Sequence, residues 1–190
     1  MMSRSRILAM ATIFFAIGVL AIALATEKWG ELVPCALCLV ERWPYRAAAL
    51  LGVVASLIET GRRILLWGVV CCMAVSVAAA SVHVGVELGR WPSPLPECAA
   101  PSLAGGSIAE RLARLPAHPA KPCDDPAYLI PGVPVSMAAM NGLVALAFGV
   151  CLAILLSSSW IGGQSERDDT TRGPKFNAAA RAHDPRRSRW

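Results

Sequence analysis

The sequence predicts an all-α membrane protein: a bundle of four transmembrane helices with a long outward loop that carries a short amphipathic helix. Three observations predict it. Of the 190 residues, 55% are hydrophobic and only 16% charged, with a mean hydropathy of +0.51. The apolar residues lie in long blocks: Ile7–Ala25, Ile64–Val84 and Val135–Leu156 each run 19 to 22 residues with no ionisable side chain of Asp, Glu, Lys or Arg, and with His83 near one end. An apolar helix of about 20 residues spans the hydrocarbon core. Finally, the basic residues are distributed unevenly between the two sides that such blocks define.

The first span is placed at about 7–25. Its Ala23-Leu24-Ala25 end could also be a signal-peptide cleavage site, but an apolar signal core of about 7–15 residues is shorter than this block. We therefore expect it to be retained. The second span, about 42–58, contains a shorter apolar block, Tyr45–Ile58. It reaches spanning length only if the helix starts near Arg42, with Arg42 and Arg46 held at the interface. The third and fourth spans lie at about 64–84 and 135–156.

Orientation follows from Lys and Arg. Arg4, Arg6, Arg62, Arg63, Arg167, Arg172, Lys175, Arg181, Arg186, Arg187 and Arg189 make eleven on one side; Lys28, Arg90, Arg111, Arg114 and Lys121 make five on the other. Both termini are expected in the cytoplasm. The net charge of +5 is thus a topology signal, not a nucleic-acid footprint.

Loops 26–34 and 85–134 then face outward. The second holds ten of the fourteen prolines, a composition that excludes regular sheet and suits a segment that meets a partner. Within it Ser107-Ile108-Ala109-Glu110 has the form of a capping box. Ile108, Leu112 and Leu115 follow on one face, beside Arg111 and Arg114, which is the pattern of a helix lying on a membrane surface. Residues 1–160 form the membrane domain in this reading. Residues 161–190 are polar and Arg-rich and read as a disordered basic cytoplasmic tail. No repeat, phosphate-binding glycine loop or metal-type cluster of His and carboxylates stands out, and no metal is expected.

Seven cysteines sort by position. Cys71, Cys72 and Cys151 fall within spans, in their cytoplasmic halves, and read as small apolar packing residues. Cys35, Cys38, Cys98 and Cys123 fall outside, where an oxidising compartment permits disulfides; four cysteines admit three pairings. Structural staples would be the plain interpretation, but Cys35-x-x-Cys38 closes too small a ring to constrain much. A cysteine at a helix N-terminus is instead a stabilised thiolate. A metal knuckle would need a second ligand pair, and Cys98 and Cys123 are too far apart in sequence to supply one.

Arg42 follows Cys38 by four residues, on the same face of a continuous helix, where it would favour the Cys38 thiolate or the oxygen of an acceptor beside it. Pro44 removes a backbone donor and makes the helix start irregular. His83 and Glu87, one turn apart at the outer end of the third span, could handle protons or simply form an interfacial polar pair.

Cys35-Ala36-Leu37-Cys38-Leu39-Val40-Glu41-Arg42-Trp43-Pro44-Tyr45 resembles the second-helix motif of the DsbB family of disulfide-forming membrane oxidoreductases. His83-Val84-Gly85-Val86-Glu87 with Trp91-Pro92-Ser93-Pro94 and Cys98 resembles that family's third-helix exit. Cys123-Asp124-Asp125 with Pro134 and Asn141 resembles the approach to its fourth helix. The likeness covers about residues 7–156, and Glu41 departs from it, standing where many relatives have glutamine.

The resemblance implies a protein-dithiol:quinone oxidoreductase of the bacterial inner membrane, the role of the quinone-coupled relay that keeps the periplasm oxidising. It implies that Cys98 forms the mixed disulfide with a periplasmic thioredoxin-like oxidase (DsbA-like) and that Cys123 is its pair partner. Cys35 would then exchange with Cys123. Cys38 would face the acceptor, ubiquinone or menaquinone, with Arg42 at the quinone and His83 and Glu87 as further candidates there. Two separate disulfides, Cys35–Cys38 and Cys98–Cys123, are the expected resting state.

Two other classes explain less. A scaffold pinned by ordinary disulfides leaves the Cys-x-x-Cys and Arg42 without a role. A conduit carrying reducing electrons outward needs a cysteine relay across the bilayer, and Cys72 lies roughly 18 Å below the outer end of its span at about 1.5 Å per residue.

Overall fold

The computed structural model describes residues 3–30, 32–98, 107–113, 121–129, 132 and 134–158. The chain divides after Leu152 into Met1–Leu152 and Ala153–Trp190. Of the second unit only residues 153–158 are described, as the end of the last helix, and the basic tail expected over 161–190 lies outside the described residues. The described secondary structure is helical, apart from one isolated bridge between Tyr128 and Ser136.

Three helices are long and apolar enough to cross a membrane: α1 (Arg4–Lys28), α4 (Arg62–Glu87) and α6 (Met137–Ser158). α1 and α4 extend two or three residues past each end of the apolar blocks that announced them, whereas α6 starts two residues inside its block and ends two beyond it. Between α1 and α4 lie α2 (Ala36–Val40) and α3 (Trp43–Leu57). α3 has 15 residues, about 22 Å at 1.5 Å per residue, which is short of the expected spanning length.

The continuous helix expected from Cys38 through Arg42 is not formed. α2 ends at Val40, Glu41 and Arg42 form a turn, and α3 begins at Trp43 with Pro44 in its first turn. Pro44 has no N–H to donate to Val40 and its ring crowds that carbonyl, so the helix restarts there.

The first unit packs through small residues. The buried side of α1 is Ala9, Thr12 and Ala16, and a Cβ added at Gly52 of α3 would lie 3.0 Å from Ile13 and 3.3 Å from the Ala9 carbonyl oxygen. A Cβ on Gly142 of α6 would lie 3.1 Å from Cβ of Ala80 in α4, and one on Gly149 would lie 3.0 Å from Cβ of Met73. Phe15 of α1 stacks on Phe148 of α6 with ring centroids 3.8 Å apart. Large apolar side chains such as Phe14, Leu50, Ile64 and Leu143 point outward. Small residues at the closest helix contacts, with many large apolar residues turned outward, is the arrangement a lipid solvent favours.

After α4 the chain doubles back. Trp91 Nε1 donates to the Val82 carbonyl at 3.0 Å, and its indole lies so close on Gly85 that any Cβ there would overlap the ring. Gly85→Ala must therefore displace Trp91, at a cost of about 1–3 kcal/mol for overpacking. Thermal unfolding in detergent checks this, and an unchanged midpoint would show that the indole moves freely. The 3₁₀ turn Pro96–Cys98 follows. Further on, α5 (Ile108–Ala113) begins at Ser107, whose N–H donates to Glu110 Oε2 at 2.8 Å while Glu110 N–H donates to Ser107 Oγ at 3.3 Å. Most of the face expected from Ile108, Leu112 and Leu115 lies outside the described side chains.

Candidate thiol redox centre

Cys35 caps the N-terminus of α2. Its backbone is extended (φ −79°, ψ 168°) and its sulfur accepts the Cys38 N–H at 3.2 Å. The Cys35 and Cys38 Sγ atoms are 2.8 Å apart, and both residues are free thiols, where a second bridge was expected. The two thiols are unequal. Cys35 is held below the ordinary thiol value, chiefly by the hydrogen bond it shares with the Cys38 thiol and against its own burial. Cys38 is pushed far above, by that same bond and by burial. The lowered thiol is thus Cys35, at the cap, and not the Cys38 that its spacing from Arg42 suggested.

This inequality sets a labelling order. With the protein reduced, and with exposure long enough for reagent to reach the buried Cys35, iodoacetamide should modify Cys35 at a pH below the usual thiol range of about 8.5, since the thiolate is the nucleophile. Cys38 should remain unmodified until the pH is well above it. Mass mapping of the two positions across pH checks the order, and equal labelling of both would refute it.

Cys98 and Cys123 are joined, with Cα atoms 5.1 Å apart. Both are buried in one apolar cluster with Cys35, Leu37 and Val86, against which Ala36, Cys38 and Leu95 pack. Cys35, Cys38, Cys98 and Cys123 therefore meet at one place, although they come from α2, the 3₁₀ turn and the segment before α6. Cys71, Cys72 and Cys151 are free thiols on α4 and α6.

His83 enters the same centre. It is 3% exposed, with Nδ1 2.8 Å from Glu41 Oε1 and Nε2 3.4 Å from Cys35 Sγ. Glu87 Oε1 is 3.9 Å from that Nε2. An ionised carboxylate can only accept, so Nδ1 carries the proton and Nε2 is left to face the sulfur. The other Glu41 oxygen accepts from Asn141 Nδ2 at 2.9 Å, and Asn141 Oδ1 accepts from Tyr45 Oη at 2.6 Å. One hydrogen-bonded line thus joins Cys35, His83, Glu41, Asn141 and Tyr45.

Arg42 does not sit beneath Cys38 on one helix. It pairs with Glu27, at the end of α1. Both Arg42 and Cys38 nevertheless line one cavity of about 250 Å³, together with Glu41, Tyr45 and Asn141. The rest of its wall is apolar and includes Val19, Ile22, Met137, Met140 and Val144.

Sequence reading missed the partners. Glu41 was visible only as a departure from a family pattern, and Glu27 not at all. The convergence of Cys35, Cys38 and His83, whose ligand atoms all lie within 4.8 Å of one another, was hidden because His83 belongs to a different helix.

A multi-pass helical membrane protein with a buried thiol centre is the class that fold and site define. The family model described as disulfide bond formation protein DsbB matches residues 5–155, and the chain belongs to the DsbB family. That is a family of disulfide-generating membrane oxidoreductases, and the chain carries cysteines for such chemistry. No curated protein and no solved structure matches the chain.

Proposed function

We propose that the protein re-oxidises a periplasmic thioredoxin-like dithiol oxidase and passes the electron pair to a membrane quinone through two cysteine pairs. The observation that carries this reading is the position of Cys38. It packs against the cluster that holds Cys98–Cys123 and also forms part of the cavity wall with Arg42.

The partner's thiolate attacks the Cys98–Cys123 bond, Cys98 forms the mixed disulfide, and Cys123 leaves as a thiol. The partner's second thiol then displaces Cys98, so the partner leaves oxidised and the pair is reduced. Cys123 next exchanges with Cys35 of an oxidised Cys35–Cys38 pair, which restores the outer disulfide and leaves the inner pair as thiols. With the outer pair joined and the inner pair reduced, the arrangement described above corresponds to the state before electrons leave the protein.

The cavity suits a quinone head. Ligand pockets of about 300–1,000 Å³ hold drug-sized molecules, so about 250 Å³ suits a single ring whose tail stays in lipid. Most of its lining is apolar, and its polar groups converge on one side. Bound there, a quinone supplies the acceptor for two electrons and two protons. Arg42, Tyr45 and Asn141 orient it, and Cys38 faces it. His83 Nε2 receives the Cys35 proton, and Glu41 holds the imidazole in the tautomer that permits this. Glu87, 3.9 Å from Nε2, adds negative charge beside the ring once it is protonated.

The same reading makes α3 the fourth span. Its start carries interfacial residues: the Arg46 guanidinium lies 5.1 Å above the exposed Trp43 ring, a pairing common at headgroup depth. Loops 26–34 and 85–134 then face the periplasm, α5 lies on the outer surface, and both termini are in the cytoplasm of a bacterial inner membrane.

The test is direct. Purified protein in detergent should reduce a soluble quinone analogue when supplied with a reduced thioredoxin-like partner, and should regenerate that partner's disulfide with equal stoichiometry. Partner oxidation that proceeds equally well without quinone would sink the proposal.

A further inference from the structure

The reduced inner pair has the donor set of a metal site. Cys35 Sγ, Cys38 Sγ and His83 Nε2 lie within 4.8 Å of one another. We propose that the dithiol form captures one thiophilic divalent cation, zinc foremost, through these three atoms, and that the oxidised form does not.

The geometry is close to what such an ion demands. Zinc binds sulfur at about 2.3 Å and nitrogen at about 2.0–2.1 Å in a tetrahedron, which separates sulfur from nitrogen by about 3.6 Å and two sulfurs by about 3.7 Å. Cys35 Sγ and His83 Nε2 are 3.4 Å apart, close to that spacing. The sulfurs, 2.8 Å apart, must part by roughly 1 Å. Cys38 is only half-buried, so a turn of its side chain can provide this.

The surroundings of His83 match a ligand more than a packing residue. Its Nδ1 is held by Glu41 at 2.8 Å, and Asn141 holds Glu41 in turn at 2.9 Å. A carboxylate on the far nitrogen is the usual support of a metal-binding imidazole: it fixes the ring and raises the basicity of the coordinating atom. The metal-facing Nε2 has Glu87 Oε1 at 3.9 Å, which can take the fourth position or leave it to water.

Capture is balanced by the release of two thiol protons, giving two thiolates and a neutral imidazole on the ion. Formation of the Cys35–Cys38 disulfide consumes both sulfur donors and abolishes the site. Metal binding and oxidation of the pair are therefore mutually exclusive. If the inner pair is the quinone-facing relay proposed above, zinc halts turnover at its reduced stage.

The test separates binding from turnover. Full-length protein bearing C71S, C72S, C98S, C123S and C151S keeps Cys35 and Cys38 as its only thiols. Reduced with a phosphine, it is titrated with Co²⁺ and then Zn²⁺ while the visible Co²⁺ bands are followed. One Co²⁺ per chain with intense tetrahedral bands, displaced by Zn²⁺ and absent after disulfide formation, is the expected result. Glu41→Gln should weaken binding by about 10–100-fold, the usual effect of removing a supporting carboxylate, and His83→Ala by at least as much.

Equal affinity and an identical spectrum in both variants would mean that the dithiol binds alone, and would overturn the site. Binding by the oxidised form would overturn it equally. The native protein's quinone reduction, assayed in metal-free buffer, distinguishes the two ideas: normal turnover without Co²⁺ binding rejects only the metal site.

Discussion

Cys98→Ala should abolish covalent capture of the soluble partner and leave the inner pair able to close. Cys98 ends the 3₁₀ turn and is joined to Cys123, so its loss removes the disulfide that the partner thiolate attacks in the proposed relay. Cys35 and Cys38 keep their own neighbours, including the Cys38 N–H bond and His83. They should still oxidise when quinone is added.

Trapping with a partner that has a single attacking cysteine, run on a non-reducing gel, reads the first effect. Non-reducing peptide mapping reads the second. The variant also loses a cross-link between residues 25 apart, whose removal costs about 3.5 kcal/mol by loop entropy, so folded protein must be confirmed by gel filtration. Absence of the Cys35–Cys38 bridge in folded variant would show that the pairs do not act in sequence.

Replacing Arg42 by alanine should raise the apparent Michaelis constant for quinone by about 10- to 100-fold, the worth of one charge-assisted hydrogen bond of about 1.5–3 kcal/mol. Arg42 borders the cavity and is held in place by Glu27. A guanidinium fixed at one end by a carboxylate offers its remaining N–H groups in a set direction, which a lysine ammonium cannot reproduce. Arg42→Lys should therefore fall between wild type and Arg42→Ala. Glu27→Gln, which releases the guanidinium without removing it, should produce a smaller rise.

Partner capture through Cys98 should be unchanged in all three variants. Steady-state kinetics against quinone concentration, normalised to membrane levels, provides the measurement. Wild-type quinone kinetics in Arg42→Ala would reduce Arg42 to an interfacial anchor.

The difference between what could and could not be read from sequence has a physical origin. Apolar blocks report the solvent a helix faces, so Ile7–Ala25, Ile64–Val84 and Val135–Leu156 located α1, α4 and α6 to within a turn or so. Pro44 carries its own steric rule, and the irregular start it implied for α3 is found as a full break. That Cys35, Cys38, Cys98 and Cys123 stand apart from the cysteines of the long apolar helices could likewise be read along the chain.

Tertiary partners could not. The spacing of Arg42 from Cys38 specifies a shared face only while the helix continues, and the Glu41–Arg42 turn voids that inference. His83 was paired in sequence with Glu87, one turn away, whereas its close contact is Glu41 on another segment. A buried carboxylate that unites α4 and α6 at the turn before α3 leaves no periodic trace. Only its cost without partners betrays it, and that appears once the fold is known.

Cys98 and Cys123 are 5% and 1% exposed. A small thiol diffusing past the protein finds little of this disulfide to strike, because exchange requires direct access to it. In the proposed relay, a protein partner would have to draw Cys98 outward before the reaction can begin. Burial thus acts as a filter on size and shape. If the proposed relay holds, burial shields the oxidising power of this pair from idle discharge into free thiols of the surroundings and reserves it for a docked protein. Selectivity of this kind needs no recognition of the thiol itself; it is set by the work of uncovering one sulfur.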